Sequence, residues 1–282
     1  MSSAVTGHPA GHRTQSPAVT WLGHATVLVE LDHARLVTDP VLRRHVGPLV
    51  RITSPAPGGA AGTVDGVLLS HLHADHADLP TLRTIDRRGP LLAPAGAGEW
   101  LRARGMRDVR EMVPGAALRV AGVTVEATPA VHSGRRTPLG PRAGTVGYLL
   151  QGSRSVYFAG DTDLFAEMAD LRGRVDVALV PVWGWGPSVG AGHLDPQRAA
   201  AAVARIAPAL AIPIHWGTLA LPRPARRAGD PAVPARAFAE RVHEVAPGVE
   251  VRLLAPGERL EIDRRSPRSD DAGEAGRCDG GR

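Results

Sequence analysis

Val67-Leu-Leu69-Ser-His71-Leu-His73-Ala-Asp75-His76 decides how this chain is read: an apolar run breaks off into three imidazoles and a carboxylate within six residues. Such a cluster makes a poor core, because every member would need a polar partner once buried. It makes a good metal grip. Neutral imidazole and carboxylate are the donors that suit zinc and similar divalent ions. The competing reading is a solvated His-rich turn, and the residues downstream discriminate between the two.

Short β-like runs dominate the chain. In the first part they are Ala25–Leu31, Ala34–Thr38, Gly66–Ser70, Val109–Val113, Ala117–Val120 and Val123–Thr128. A second set comprises Gly147–Leu150, Ser155–Ala159, Val175–Val180, Leu210–Ile214, Val249–Leu253 and Arg259–Ile262. Helical patterns fall at Leu79–Arg87, Gly96–Arg104, Leu164–Leu171, Pro196–Ile206 and Pro234–Val245. Asp195 is an N-cap for the fourth of these, with Pro196 at its first position. Strands interleaved with a few helices predict a layered α/β domain.

Three more metal-ligand residues follow strands in this reading. His132 comes after Val123–Thr128, Asp161 after Ser155–Ala159 in Phe158-Ala-Gly-Asp-Thr162, and His215 ends Leu210–Ile214. Taken singly, each is more often a cap or a satisfied surface residue. Their shared position past strand ends changes that, because loops there converge while the sheet holds them rigid. The residues divide into two sites. His71, His73 and His132 suit one ion; Asp75, His76 and His215 suit a second; Asp161 can bridge them. Two ions sharing a hydroxide can lower its pKa and stabilise both attacking and leaving oxygens, which is hydrolytic equipment.

Composition removes other function classes. The 282-residue chain is 43% hydrophobic and globular in character. No apolar run approaches the roughly 18 residues needed to span a bilayer, and Met1–Pro17 has no secretory h-region. The one cysteine, Cys278, leaves neither a disulfide framework nor a thiolate site, so a cytoplasmic location is expected. The net charge of +5 comes with no lysine, a pattern of GC-rich coding, and the arginines are dispersed. With only 4% aromatic residues there are few stacking platforms, so no nucleic-acid partner is expected. Met1–Pro17 and Arg264–Arg282 read as disordered tails around one domain, residues 18–263.

With these residues in place, the chain resembles the metallo-β-lactamase superfamily. His71, His73, Asp75, His76, His132, Asp161 and His215 match its seven-ligand dinuclear pattern in order. The resemblance implies a four-layer αββα sandwich with the site at one edge. Trp21-Leu-Gly-His-Ala-Thr-Val27, Thr38-Asp-Pro40, Gly192-His-Leu-Asp-Pro196 and Ile214-His-Trp-Gly-Thr218 are similar to the branch containing N-acyl-phosphatidylethanolamine-hydrolysing phospholipase D and the ascorbate-6-phosphate lactonases. That branch implies an active-site role without metal ligation for His193, so Asp75, Asp161 and His193 are the expected catalytic residues. His193 would polarise an oxygen or protonate the leaving group.

The expectation is therefore a dinuclear metal-dependent hydrolase that directs a metal-bound hydroxide at a phosphodiester, lactone or related ester. Zinc is the default ion, with manganese or iron compatible with an all-N/O ligand set. The alternatives are a nucleic-acid-processing hydrolase of the same superfamily and a non-catalytic metal-binding sensor. Asp39 and Asp78 are candidate carboxylate supports for ligating imidazoles, and His24 is left open between site and scaffold. Trp183 and Trp185 either wall the site or pack on a sheet edge. Arg43, Arg44 and Arg51, or Arg223, Arg226 and Arg227, either line the cleft for an anionic small-molecule substrate or sit solvated on the surface. No amphipathic segment points to a lipid surface, and nothing in the sequence sets the oligomeric state.

Overall fold

A computed structural model describes residues 16–53, 61–137, 139–186, 188–222 and 229–263. The expected tails therefore lie almost wholly outside the described residues, as do Arg223, Arg226 and Arg227. Two seven-stranded sheets form the body. Across the first, the strands run Arg259–Glu261, Ala18–Gly23, Thr26–Leu31, Ala34–Thr38, Gly66–Leu68, Leu91–Pro94 and Val109–Met112. Across the second they run Glu250–Val251, Leu210–Ile214, Val177–Pro181, Ser155–Phe158, Val146–Gln151, Val123–Pro129 and Ala117–Val120. Each sheet is mixed. The first is antiparallel among its early strands and parallel from Ala34–Thr38 onward, and the second is parallel from Ser155–Phe158 through Glu250–Val251.

Alternation along the first sheet's strands sorts their side chains into two cores. Trp21, Val27 and Val29 face the second sheet's Val125, Tyr148 and Phe158. Leu22, Leu28 and Val37 face outward, under Leu82 of helix Leu79–Thr84 and Leu101 of helix Gly98–Arg102. On the far side, Val203 and Ile206 of helix Pro196–Ile206 and Phe238 of helix Val233–Val245 join the core of the second sheet. The result is the four-layer αββα sandwich. Strands covered on both faces read as continuous apolar runs, which is why Val177–Pro181 and Leu91–Pro94 show no polar alternation.

The expected elements shift at several points. Ala18–Gly23 and Leu91–Pro94 are strands where no strand was expected. The first contains a bulge between Trp21 and Gly23, and the second is short and ends in proline, so neither carries a strong local signature. Leu164–Leu171 forms a 3₁₀ segment confined to Ala166–Leu171 rather than an α-helix. Pro196–Ile206 is helical over its expected span, with the Asp195 carboxylate accepting from the Arg198 N–H. Among the described residues, no helix is long and apolar enough to cross a membrane.

Candidate metal centre

Strand ends from both sheets meet along one edge. Ser70 to His76 follow Gly66–Leu68, Asp39 follows Ala34–Thr38, Asp161 follows Ser155–Phe158, and His215 follows Leu210–Ile214. The convergence is tight enough to constrain the backbone. His24, Asp39 and His215 hold φ values of +53°, +33° and +64°, which non-glycine residues rarely adopt. At Gly160, with φ +60°, a Cβ would lie 2.5 Å from that of Ser70, so a side chain there would separate the Asp161 strand from the His71 loop.

All seven expected ligand residues come together, and five imidazoles share one arrangement. In each, one ring nitrogen is held by a group outside the cluster and the other points in. His76 Nδ1 meets Asp39 Oδ2 at 2.7 Å, and His71 Nδ1 meets Ser70 Oγ at 2.9 Å. His132 Nδ1 and His215 Nδ1 donate to the carbonyls of Gly192 and Trp183, both at 2.8 Å. His73 is reversed, with Nε2 on the Arg135 carbonyl at 2.9 Å. Holding one nitrogen as the N–H donor leaves the lone pair on the other. The inward nitrogens crowd together: His76 and His215 are 3.0 Å apart, and His73 and His132 3.1 Å.

These inward atoms form overlapping groups whose members lie within 4.8 Å of one another: His71, His73 and His132; His24, Asp75, His76 and His215; and His132, Asp161 and His193. Asp161 stands centrally. Its Oδ2 lies 3.2 Å from His76, 3.4 Å from His193, and 4.0 Å from both His71 and His132, while Oδ1 is 3.3 Å from His215. His71 Nε2 and Asp161 Oδ1 are buried and make no hydrogen bond. Buried donors and acceptors without partners are costly, and both atoms point into the space that a cation would occupy.

The support around the cluster is more specific than sequence spacing suggested. Asp39 accepts from His76, from the Ser70 N–H at 2.7 Å and from Ser70 Oγ at 2.5 Å. One carboxylate thus steadies an imidazole from each group, the second through Ser70, a residue that carried no sequence signal. Asp78, the other expected support, touches no imidazole. It caps helix Leu79–Thr84 through the Thr81 N–H and takes a bidentate pair from Arg43 at 2.8 and 2.9 Å. His24 belongs to the site: Nε2 lies 3.1 Å from Asp75 Oδ2, and its ring lies 3.8 Å from that of His215. Arg136, also unanticipated, donates to the carbonyls of Leu72 and Ala77 at either end of the His71–His76 loop.

Of the arginines expected as anion binders, Arg43 and Arg51 are committed elsewhere, Arg44 is exposed, and Arg223, Arg226 and Arg227 lie outside the described residues. Arg43 is held by Asp78, and Arg51 is buried, donating to the Leu22 and Val41 carbonyls. The reason is position: both follow the Thr38-Asp-Pro40 turn into the scaffold beneath the cluster. Trp183 contributes its carbonyl to His215 and packs its ring against the core, while Trp185 is exposed.

The electrostatics fit a cation. Burial pushes the imidazoles toward neutrality, His132 to about 4 and His24 to about 3, with His71, His73 and His215 also lowered. Burial acts likewise on His76, but Asp161, Asp39 and Asp75 outweigh it and hold its pKa well above normal. His193 is raised because its hydrogen bond and charge interaction with Asp161 outweigh burial. Burial also disfavours the charges of Asp75 and Asp161, yet the surrounding imidazoles overcome it and hold both pKa values well below the usual range. Among the described residues, no arginine pairs with Asp39, Asp75 or Asp161. Buried anions normally require paired charge or metal: His76 and His193 supply charge beside Asp39 and Asp161, and the neutral imidazoles of His71, His73, His132 and His215 turn ring nitrogens inward where a cation would take them.

Comparison with known proteins agrees with this geometry. Residues 34–216 match the β-lactamase superfamily domain. A metal-dependent hydrolase of the UPF0173 family from Methanopyrus kandleri is 34% identical over 255 residues, covering 86% of this chain and 99% of that protein. N-acyl-phosphatidylethanolamine-hydrolyzing phospholipase D 1 of Caenorhabditis elegans is 28% identical over 233 residues, covering 73% of this chain and 65% of that one. In fold, the chain is similar to Igni18, a metallo hydrolase from Ignicoccus hospitalis, with a TM-score of 0.67, 24% identity, and coverage of 88% and 99% respectively. The chain belongs to the metallo-β-lactamase superfamily, among its metal-dependent hydrolases.

Proposed function

We propose that the protein hydrolyses a phosphodiester, lactone or related ester at a centre of two divalent ions, with zinc as the default. His71, His73 and His132 would hold one ion and Asp75, His76 and His215 the other, with Asp161 between them. The observation that carries this reading is the shared orientation of the five imidazoles, each with one nitrogen tied outside the cluster and the other turned inward. Two such ions, when bound, supply Lewis acidity and a water of lowered pKa.

The chain's own residues account for the rest. Asp39 holds Nδ1 of His76 directly and Nδ1 of His71 through Ser70, so that Nε2 is the nitrogen each would give to an ion, with the Nε2 proton of His76 displaced on binding. His24 holds Asp75 by a hydrogen bond and packs its ring on that of His215. His193, tied to the Gly190 carbonyl at 3.3 Å and partly exposed, is placed to bind a substrate oxygen or pass a proton to a leaving group. The test is Asp161→Ala, with metal content measured by atomic absorption and hydrolysis by a screen of phosphodiesters and lactones. Loss of both bound metal and turnover is expected. Full activity in that variant would overturn the mechanism.

A further inference from the structure

Two of the sequence stretches singled out above, Trp21-Leu-Gly-His-Ala-Thr-Val27 and Ile214-His-Trp-Gly-Thr218, are bonded to each other beside the metal centre. A bulge between Trp21 and Gly23 bends the first into the turn His24-Ala25. The His24 N–H donates to Thr218 Oγ1 at 2.8 Å, and its carbonyl accepts from the His215 N–H and from Trp21 Nε1, both at 2.9 Å. Thr218 Oγ1 donates in turn to the Trp216 carbonyl at 3.1 Å, and the rings of Trp21 and Trp216 lie 4.8 Å apart. The approach needs glycine at position 23, which has φ +104°: a Cβ there would lie 2.6 Å from Arg51 Nη1 and 2.9 Å from Thr218 Cγ2. The two stretches together hold one histidine, 1% exposed and at φ +53°, against the cluster.

His24 does for Asp75 what Asp39 does for His76. Its Nε2–H donates to Asp75 Oδ2 at 3.1 Å, and among the described residues this is the one hydrogen bond that carboxylate makes. The His24 ring also lies 3.8 Å from that of His215, so the residue fixes His215 through both ring and backbone. Asp75 and His215 belong to one group of mutually close donor atoms, with His76, and His24 falls in that same group. The other group, His71, His73 and His132, is tied by Ser70 and by the Arg135 and Gly192 carbonyls, without His24.

We infer that His24 is a positioning residue for one of the two ions: by orienting Asp75 and His215 it sets the affinity of the site they form with His76, and leaves the site of His71, His73 and His132 unaffected. This rests on the two-ion reading above. It gives the two sequence stretches a shared purpose, since neither supplies His24 to the centre without the other. It also makes the two sites separable, because the side chains that orient the ligands of each are different apart from Asp39.

The test titrates zinc into chelator-stripped full-length protein against a competing chelator, with ions per chain counted by atomic absorption. The wild type is expected to take two. His24→Ala should weaken one ion about 10- to 100-fold, the range for partners that orient a ligand, and move the other less than about threefold. At free zinc between the two affinities, the variant then keeps one ion per chain. His24→Gln, whose amide reaches the Nε2 position and can donate to Asp75, should recover most of the lost affinity. His24→Asn, which accepts a positive φ but ends one methylene short, should recover little. Where the alanine variant fails to fold, the asparagine and glutamine variants still give the answer, since both keep an amide at this position and differ in reach.

Unchanged binding of both ions in His24→Asn overturns the inference, and so does an equal loss of both. A His24→Gln variant no better than His24→Asn also overturns it, because the hydrogen bond to Asp75 would then not be what His24 supplies. A wild type that holds a single ion sinks the two-ion reading by itself. If the affinity of that ion follows the His24 series, the positioning role stands; if it does not, the role falls as well. Absence of hydrolysis in the substrate screen counts against the proposed reaction and does not enter these affinities.

Discussion

Asp39 shows how much of this centre depends on one side chain outside the ligand set. It is fully buried, sits at φ +33°, and holds His76 directly and His71 through Ser70. A strained backbone angle persists only where its surroundings over-determine it. Here Thr26 Oγ donates to the Asp39 carbonyl at 2.8 Å and the Asp39 N–H donates to Leu68 at 2.9 Å. Asp39→Asn keeps the shape and removes the charge, so metal affinity should fall 10- to 100-fold in a chelator competition. Unchanged affinity would show that Asp39 is scaffold alone. The role of Asp39 was half legible in the sequence, since a carboxylate after a strand is a reasonable partner for imidazole. Asp78 had the same credentials and serves a helix cap and Arg43 instead. Proximity in three dimensions separates the two, and spacing carries no information about it.

Among the elements, helix Pro196–Ile206 and the 132–144 segment illustrate opposite degrees of local determination. The helix is written in its own residues: Asp195 caps its N-terminus, Pro196 opens it, and Ala207 ends it in the left-handed region at φ +50°. Asp195→Ala should cost about 1 kcal/mol of unfolding free energy. Ala207→Gly should add up to about 1 kcal/mol by relieving the Cβ. Both are read from chemical denaturation. Among its described residues the 132–144 segment forms no helix or named strand, only a bridge between Arg135 and Arg142, yet it locks the His71–His76 loop from three points: His132 itself, the Arg135 carbonyl on His73, and Arg136 on Leu72 and Ala77. Arg136 is kept in place by stacking over Trp100, whose ring Arg104 also covers. Arg136→Met should lower metal affinity while the metal-free protein keeps its unfolding midpoint within a few degrees, whereas Arg136→Lys should recover part of the affinity. Equal affinity in the wild type and Arg136→Met would refute the clamp.

At the scale of the whole molecule, the centre ties the two sheets together. His71 to His76 and Asp39 extend from the first sheet, and His132, Asp161 and His215 from the second. Bound ions would therefore cross-link layers otherwise held by apolar packing. Ligands that bind only the folded state stabilise by about 2.7 kcal/mol at a hundredfold excess over Kd. For a domain of this size, that predicts a rise in Tm of roughly 5–10 °C on adding zinc to chelator-stripped protein. Scanning calorimetry on both forms checks it, and identical midpoints would argue against a centre that spans the sheets. His24 joins the same seam, its carbonyl accepting the His215 N–H at 2.9 Å.

The sequence by itself determined the class of fold and the chemistry of the cluster. Apolar runs ending in His and Asp are local patterns, and their donor types restrict the partner to a divalent cation. Helix caps and most strands followed from the same short-range rules. Only the tertiary structure decided which carboxylate supports the imidazoles, that His24 faces Asp75, that Ser70 and Arg136 serve the centre, and that Arg43 and Arg51 do not. Each of these depends on which strand ends meet across two sheets, and that is set by the packing of the two cores rather than by any residue's neighbours in the chain.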